Sequence, residues 1–238
     1  MQYLGGKTRI AKEILPIILA DRKEGQYFVE PFCGGCNVTA KVSGNRIAND
    51  CNEYLIAMFE GLASGEKYPE KISRELYNDV KECFRSGSDK YDLGFIGWIG
   101  FMASYRAIFF AGYSGATLIS KGKPKDYIAE SIRSIMRQVP KLHGVEFRNG
   151  DYKNLQIPDE SIIYCDPPYM GTTGYTDGLS HEEFWQWCRE RVYEGHKVYI
   201  SEYQAPDDFM AIWEKSIQNC VSLDKKATER LFIYEGQF

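Results

Sequence analysis

The segment of residues 166–169, Asp-Pro-Pro-Tyr, has the residue types that point most directly to chemistry. It follows residues 162–165, an apolar run that is typical of a buried strand. Two successive prolines each fix φ near about −65°, which holds the neighbouring carbonyl groups in set directions. A carboxylate and a rigid carbonyl oxygen can together accept both hydrogens of a planar amino group.

An exocyclic amine such as N6 of adenine is the group that this arrangement suits. Its lone pair is delocalised into the ring, and hydrogen bonds to Asp166 and to the Pro167 carbonyl draw the nitrogen toward pyramidal geometry. Each hydrogen bond to a charged partner contributes roughly 1.5–3 kcal/mol. The ring of Tyr169 is suited to stack on the base. A turn that only closes a strand is the alternative, because Asp and Pro are ordinary turn residues.

A strand that runs into a glycine turn is the second pattern. Glu30 and Phe32 precede Gly34 and Gly35, and Asp50 closes the next strand 20 residues after Glu30. Glycine lets the backbone approach a nucleoside, and an acid at that distance reaches ribose hydroxyls. Since a full G-x-G-x-x-G is lacking, the pattern favours a cofactor without phosphates, such as S-adenosylmethionine, over a dinucleotide. A plain tight turn is the alternative.

Cys33 and Cys36 raise the possibility of a redox pair or half of a zinc site. The sequence has no second C-x-x-C, and its three histidines are distant and lack ligand spacing. We therefore predict no metal site.

Two further polar positions are candidates for ligand contact. Lys7 follows Tyr3 and a Gly-Gly turn, where its cation could pair with a carboxylate, such as that of a methionyl group. Asp151, after Asn-Gly, could accept a hydrogen bond from an adenine amino group. A solvated lysine and an Asx turn are the respective alternatives.

Aromatic residues and glycines follow Arg106 as far as residue 114, and three lysines come after them. Arg106, Tyr113 and the lysines at 121, 123 and 125 have the types that stack on bases and bind phosphates, whereas Phe109 and Phe110 fit a core better. The formal net charge of −4 excludes binding of nucleic acid by bulk electrostatics, so we expect any contact to be local.

Apolar runs bounded by turn residues alternate with helical spacing along the chain. Strands separated by right-handed helical crossovers form a parallel sheet covered on both faces. The pattern predicts a doubly wound, mostly parallel α/β fold, with residues 60–147 inserted as a second domain between residues 1–59 and 148–238. The predicted strands are 27–32, 46–49, 161–165 and 197–201, with 218–223 and 230–234 as a final antiparallel pair, and the predicted helices include 38–42, 52–62 and 181–193.

The motifs and their order resemble the D12-class (alpha-group) N6-adenine DNA methyltransferases, the Dam-like family. Residues 3–7 are similar to the family's N-terminal motif, residues 30–35 to its cofactor loop, Asn49-Asp50 to its ribose acid and residues 166–169 to its catalytic tetrapeptide. The resemblance covers nearly the whole chain, and residues 60–147 match least. Cys33 and Cys36 depart from the residues that the cofactor loop often carries.

The resemblance implies a Rossmann-like methyltransferase that uses S-adenosylmethionine to methylate a flipped-out adenine in double-stranded DNA, as in restriction-modification. It also implies a target-recognition domain in the insertion. We expect the catalytic residues to be Asp166, Pro167, Pro168 and Tyr169; the cofactor contacts to be Tyr3, Lys7, Glu30, Phe32, Gly34, Gly35, Asp50, Asp151 and Asp166; and the DNA contacts to be Arg106, Tyr113, Lys121, Lys123 and Lys125.

Other functions also fit the same residues. Methylation of RNA adenine or of cytosine N4 would use the same hydrogen bonds, and a non-catalytic DNA-binding relative would keep the fold.

The sequence has no apolar run of the ~20 residues that span a bilayer. Its seven cysteines are scattered and odd in number, which fits a reducing cytoplasm better than a disulfide framework.

Overall fold

The computed structural model describes residues 1, 3, 5–115, 117–118, 122, 124–169, 179–218 and 226–237. Within them a central sheet of seven strands is flanked by helices, and two further short strands form a separate antiparallel pair. The strands are β1 (Phe28–Glu30), β2 (Arg46–Asp50), β3 (Thr117–Leu118), β4 (Pro124–Lys125), β5 (Val145–Asn149), β6 (Ile162–Cys165), β7 (Lys197–Glu202), β8 (Phe209–Gln218) and β9 (Lys226–Tyr234), and the helices are α1 (Ala11–Ile18), α2 (Glu53–Ser64), α3 (Arg74–Ser86), α4 (Leu93–Met102), α5 (Tyr127–Met136) and α6 (His181–Tyr193).

The sheet order is β5-β2-β1-β6-β7-β9-β8. The first five strands in this order are parallel, whereas β9 is antiparallel to both β7 and β8. Because side chains alternate along a strand, each central strand packs on two cores. Phe28 and Ile162 pack toward α1, while Val29 and Ile163 pack toward α6. The predicted doubly wound, mostly parallel α/β class is confirmed.

Two predicted elements differ from the structure. The antiparallel partner of β9 is β8, which ends at Gln218 opposite Lys226, and not residues 218–223; residues 219–223 lie outside the described part of the chain. The predicted helix 38–42 is a single 3₁₀ turn at Thr39–Lys41. Three of its five positions are the β-branched Val38, Thr39 and Val42, whose side chains have restricted χ1 angles and lower helix propensity.

Helices α3, α4 and α5 and the short β3-β4 pair lie between α2 and β5 in the chain. Helix α2 continues through Ser64, and residues 145–147 pair with β2, so the predicted insertion 60–147 begins inside a helix and ends inside the central sheet. The core of this region includes residues of β2 and β5 as well as α4. The division into two domains stays a prediction.

Asn49, near the end of β2, joins the loops that follow β1 and β5. Its buried side-chain amide donates to the carbonyl oxygens of Pro31, at 2.9 Å, and Gly150, at 3.0 Å. Its backbone carbonyl accepts from the Cys33 amide at 2.8 Å. Side chains at the ends of β1, β2 and β5 are thereby held at one edge of the sheet. None of the described helices has the length and apolar character needed to cross a membrane.

Replacing Asn49 by aspartate should destabilise the fold by about 2–4 kcal/mol, because two buried donors become acceptors that face carbonyl oxygens. Urea unfolding measures the change. The matched control is Asn45→Asp, at an exposed residue whose amide donates to the Gly25 carbonyl at 2.8 Å; it should cost less than about 1 kcal/mol. Equal losses for the two variants would contradict this account.

Candidate active site

Three carboxylates predicted from the sequence lie at the same edge of the sheet. Glu30 is the last residue of β1, Asp50 the last of β2, and Asp166 directly follows β6. These strands are parallel neighbours, so their carboxyl ends meet. Ligands of open parallel sheets bind beyond this edge.

Asp166 forms an ion pair with Lys7, whose ammonium lies 2.8 Å from Oδ1. The Lys7 side chain is 7% exposed and that of Asp166 is 17% exposed. Lys7 also donates to the Gly5 carbonyl at 3.1 Å, and its ammonium lies 4.4 Å from the centre of the Tyr169 ring. The N-terminal segment and the Asp-Pro-Pro-Tyr segment, 159 residues apart in sequence, are thus in direct contact.

Glu229 of β9 is a second acid beside Lys7 and Tyr169, and sequence reasoning missed it. Its Oε2 accepts a hydrogen bond from the Tyr169 hydroxyl at 2.6 Å and lies 3.9 Å from the Lys7 ammonium. A sequence signal was present: Glu229 alternates with Leu231 and Ile233, so a charged residue occupies a position of an otherwise apolar stripe.

The charges of this cluster are unbalanced, since Lys7 faces the two carboxylates of Asp166 and Glu229. Burial acts to lower the pKa of Lys7, but the combined charges of Asp166 and Glu229 raise it above its ordinary value. Burial also raises the pKa of Asp166, against the opposing effect of Lys7 and with a further rise from Glu229. Excess negative charge thus strengthens proton binding at both sites.

The rest of the Asp-Pro-Pro-Tyr segment lies beside this cluster. Pro167 is buried, whereas Pro168 and Tyr169 are half-buried. Tyr203, which follows β7, contacts the Tyr169 ring edge-on with the ring centres 4.5 Å apart. Tyr169 is therefore contacted at its hydroxyl by Glu229 and at its ring by both Tyr203 and the Lys7 ammonium.

The glycine turn after β1 lies against Tyr3. Gly34 has φ +44°, and a Cβ built on it would lie 2.6 Å from Cε1 of the Tyr3 ring. A Cβ on Gly35 would lie 2.7 Å from Cβ of Tyr3. In this structure Tyr3 occupies the space that side chains at Gly34 and Gly35 would need. Whether a nucleoside also approaches this turn stays a prediction.

Asp50 is half-buried beside the same turn. It accepts hydrogen bonds from the amides of Gly34, at 2.9 Å, and Asn52, at 3.0 Å. Burial raises its pKa although these bonds act in the opposite direction. The carboxylate predicted to reach a ribose therefore also holds the turn.

Glu30 points into the protein and is 2% exposed. Its Oε2 accepts from the Thr39 amide at 2.9 Å and from the Thr39 hydroxyl. Burial raises its pKa to about 8, with a smaller contribution from the charges of Asp166 and Asp50.

The remaining predicted cofactor contacts lie on the α6 side. Phe32 is half-buried and packs against the rings of Tyr152 and Phe184, at 5.0 and 5.7 Å between centres. Asp151 is exposed and accepts from the Lys153 amide at 2.9 Å, which is the cap of a 3₁₀ turn. Their contact with a cofactor stays a prediction.

Cys33 and Cys36 are both buried beside the glycine turn. Burial raises the pKa of each thiol, so neither has the character of a reactive thiolate. Among the described residues, no group of three or more His, Cys, Asp or Glu side chains could hold a metal ion.

Three of the predicted DNA contacts lie among the described residues. Arg106 is exposed, with a left-handed φ of 56°, in the turn after α4. Tyr113 donates its hydroxyl to the Ile72 carbonyl at 2.8 Å. Lys125 pairs with Glu130 at 3.2 Å. Lys121 and Lys123 lie outside the described residues.

The raised pKa of Glu30 predicts a pH-dependent stability. Because the folded protein favours the protonated carboxyl, this contribution is present below pH 4.5, the ordinary pKa, and is lost as the pH rises to about 8. We expect the free energy of unfolding to fall by a few kcal/mol over this range, relative to Glu30→Gln. Urea unfolding of both proteins across the range measures it. The exposed Glu24→Gln is the control, and a flat difference for Glu30→Gln would refute the prediction.

Comparison with known proteins relates this chain to one family. The model of the D12 class N6 adenine-specific DNA methyltransferases matches residues 3–217. Type II methyltransferase M.FokI of Planomicrobium okeanokoites is 25% identical over 219 residues, which are 80% of this chain and 32% of that protein. Modification methylase StsI of Streptococcus sanguinis is 24% identical over 229 residues, covering 85% and 33%. The chain thus spans about a third of the length of these two relatives.

Retron Ec67 DNA adenine methylase of Escherichia coli is 27% identical over 225 residues, covering 84% of this chain and 75% of that protein. A solved structure, SMU.472 complexed with SAH, is 13% identical with a TM-score of 0.38 and covers 98% of this chain and 54% of that one. The family model extends from the Tyr3 segment across the Asp-Pro-Pro-Tyr segment, so it includes Lys7, Glu30, Asp50 and Asp166 in one match. The chain belongs to the D12 class of N6 adenine-specific DNA methyltransferases.

Proposed function

We propose that this protein transfers the methyl group of S-adenosylmethionine to N6 of adenine in DNA. The observation that carries the proposal is the carboxylate of Asp166, which is partly open to solvent beyond β6 and oriented by the buried Lys7. Membership of an adenine-specific family, and the curated relatives whose names state DNA adenine or modification methylation, support the same reaction.

Asp166 and the Pro167 carbonyl would accept the two hydrogens of the target amino group, which returns electron density to its nitrogen. Lys7 keeps the carboxylate in one orientation through the 2.8 Å ion pair. Orientation and electrostatics are the protein's part in such a step. Methylated N6 is strongly acidic before it loses its proton, and the raised pKa of Asp166 makes that carboxylate a better acceptor for it.

Residues around the glycine turn fit an adenosyl group. Asp50 is half-buried at the end of β2, and the aromatic side chains of Tyr3 and Phe32 are both half-buried. When bound, S-adenosylmethionine supplies an already activated methyl group, so no covalent intermediate on the protein is required. We assign Asp50 to the ribose hydroxyls. We assign Lys7 to Asp166 ahead of the cofactor carboxylate, because its ammonium already faces two acids.

Adenine in a duplex must leave the base stack to reach Asp166, at a cost of a few kcal/mol. We propose that Tyr169 stacks on the extruded base, and that Arg106 and Lys125 contact the phosphates around it. The lysines at 121 and 123 belong to the same proposal from the sequence alone.

Asp166→Asn should lower methyl transfer by about a hundredfold or more, since the amide keeps the shape of the side chain but loses the charge that accepts the amino hydrogens. Incorporation of tritiated methyl into DNA measures the rate, and digestion to nucleosides identifies N6-methyladenine. Asp21→Asn is the control, at an exposed acid paired with Lys197 at 3.2 Å. Wild-type incorporation by Asp166→Asn would exclude the assigned role.

The same assay separates the rival activities. Label in RNA, or in N4-methylcytosine, would assign the site to another planar amine. Binding of S-adenosylmethionine and DNA without any transfer would make the protein a non-catalytic relative.

Gly34→Ala should weaken binding of S-adenosylmethionine by roughly tenfold or more, because the added Cβ meets the Tyr3 ring and the residue needs a positive φ. Calorimetric titration measures the affinity. Gly25→Ala is the matched control, since Gly25 has φ +76° with nothing within 4 Å of an added Cβ. An unchanged affinity in a folded Gly34→Ala protein would remove this turn from the proposed cofactor site.

A further inference from the structure

Glu229 is an acid in a position that the fold otherwise fills with apolar side chains. It lies on the same face of β9 as Leu231 and Ile233, which are 0% and 4% exposed, and is itself 6% exposed. Burying a carboxylate costs several kcal/mol unless its partners compensate. It also lies beyond residues 3–217, so the family match does not include it.

The two partners of Glu229 lie at different distances from its carboxylate. Its Oε2 is 2.6 Å from the Tyr169 hydroxyl but 3.9 Å from the Lys7 ammonium. Lys7 in turn lies closer to Asp166, at 2.8 Å. The primary partner of Glu229 is therefore Tyr169, and the hydrogen bond from a phenol to a carboxylate belongs to the strong, charge-assisted class.

Tyr169 has further contacts beside Glu229: its side chain hydrogen-bonds with Asp166, and the Lys7 ammonium lies 4.4 Å from the centre of its ring. The two prolines restrict the backbone up to residue 168, but they leave the side-chain torsions of Tyr169 unrestricted. Tyr203 contacts the ring from one side, edge-on, at 4.5 Å between centres. The hydroxyl is the far end of the side chain and its O–H bond prefers the plane of the ring, so a fixed acceptor there restricts both the position and the rotation of the ring.

We propose that Glu229 is a positioning residue that holds the Tyr169 ring for stacking against the target base. This inference rests on the proposed function, in which Tyr169 stacks on an extruded adenine. Glu229 acts through the Tyr169 hydroxyl and does not contact the substrate.

The test is a double-mutant cycle of Tyr169→Phe, which keeps the ring and removes the donor, and Glu229→Ala, which removes the acceptor. Glu229→Gln, which keeps an acceptor oxygen, is measured beside the cycle. We expect each of the first two to lower kcat/KM for DNA methylation by roughly tenfold. The double variant that combines Tyr169→Phe with Glu229→Ala should be no worse than Tyr169→Phe alone, because Tyr169→Phe already removes the hydrogen bond that Glu229→Ala removes. Glu229→Gln should stay within about threefold of wild type.

Two controls accompany the cycle. Glu214→Ala, on the neighbouring strand β8, removes an acid that is 66% exposed and paired with Arg230, and should keep full activity. If Glu229→Ala does not fold, Glu229→Met, which has a similar volume and offers only a weak acceptor, takes its place with the same expectation.

Losses that add in the double variant would overturn the inference, as would a Glu229→Gln protein that is as impaired as Glu229→Ala. Either result would assign Glu229 to balancing the charge of Lys7. The same cycle measured by Tm reports the hydrogen bond without any activity. If the variants show coupling in Tm but the wild-type protein methylates no nucleic acid, both the proposed function and the positioning role are refuted. Active wild type without coupling would refute the positioning role alone.

Discussion

The buried ion pair between Lys7 and Asp166 is the interaction on which the arrangement of the site depends. Burying either charge alone is unfavourable, so the N-terminal segment must dock where β6 ends for both to be compensated. Asp166 then presents a carboxylate with a set orientation at the edge of the sheet. Glu229 adds a second negative charge beside the same cation. Burial and the charge of Glu229 raise the pKa of Asp166, and the charges of both acids raise the pKa of Lys7. In the proposed reaction Asp166 receives a proton after methyl transfer, and a raised pKa suits that role.

The parallel sheet makes this docking possible. Parallel neighbours bring the ends of β1, β2 and β6 to one edge, and Asn49 connects the loops that follow β1 and β5 to the end of β2. The acids at these ends differ in environment. Glu30 is enclosed and bonded to Thr39, Asp50 holds the glycine turn, and Asp166 is partly open to solvent. One edge thus provides a structural acid, a turn-forming acid and an acid suited to substrate.

The glycine turn shows how a local pattern can have more than one physical basis. A strand, two glycines and an acid 20 residues after Glu30 predict the approach of a nucleoside to the backbone. In the structure, the missing side chains of Gly34 and Gly35 leave the space that Tyr3 occupies. The two interpretations are compatible, because Tyr3 is itself a predicted cofactor contact and brings an aromatic ring to the turn.

The sequence alone determined several of the local elements and the class of the fold. Helix 181–193, the strand before Asp166 and the alternation of strands and helices follow from side-chain periodicity and turn residues, which act over a few positions. The partner of β9 and the sheet strand at residues 145–147 were decided by tertiary pairing, since hydrogen bonds between strands depend on residues distant in sequence. For the same reason only the folded chain brought Lys7 to Asp166 and Glu229 of the last strand to Tyr169. A buried charge is compensated by whichever group the fold brings near it, and the spacing of residues along the chain does not encode which group that is.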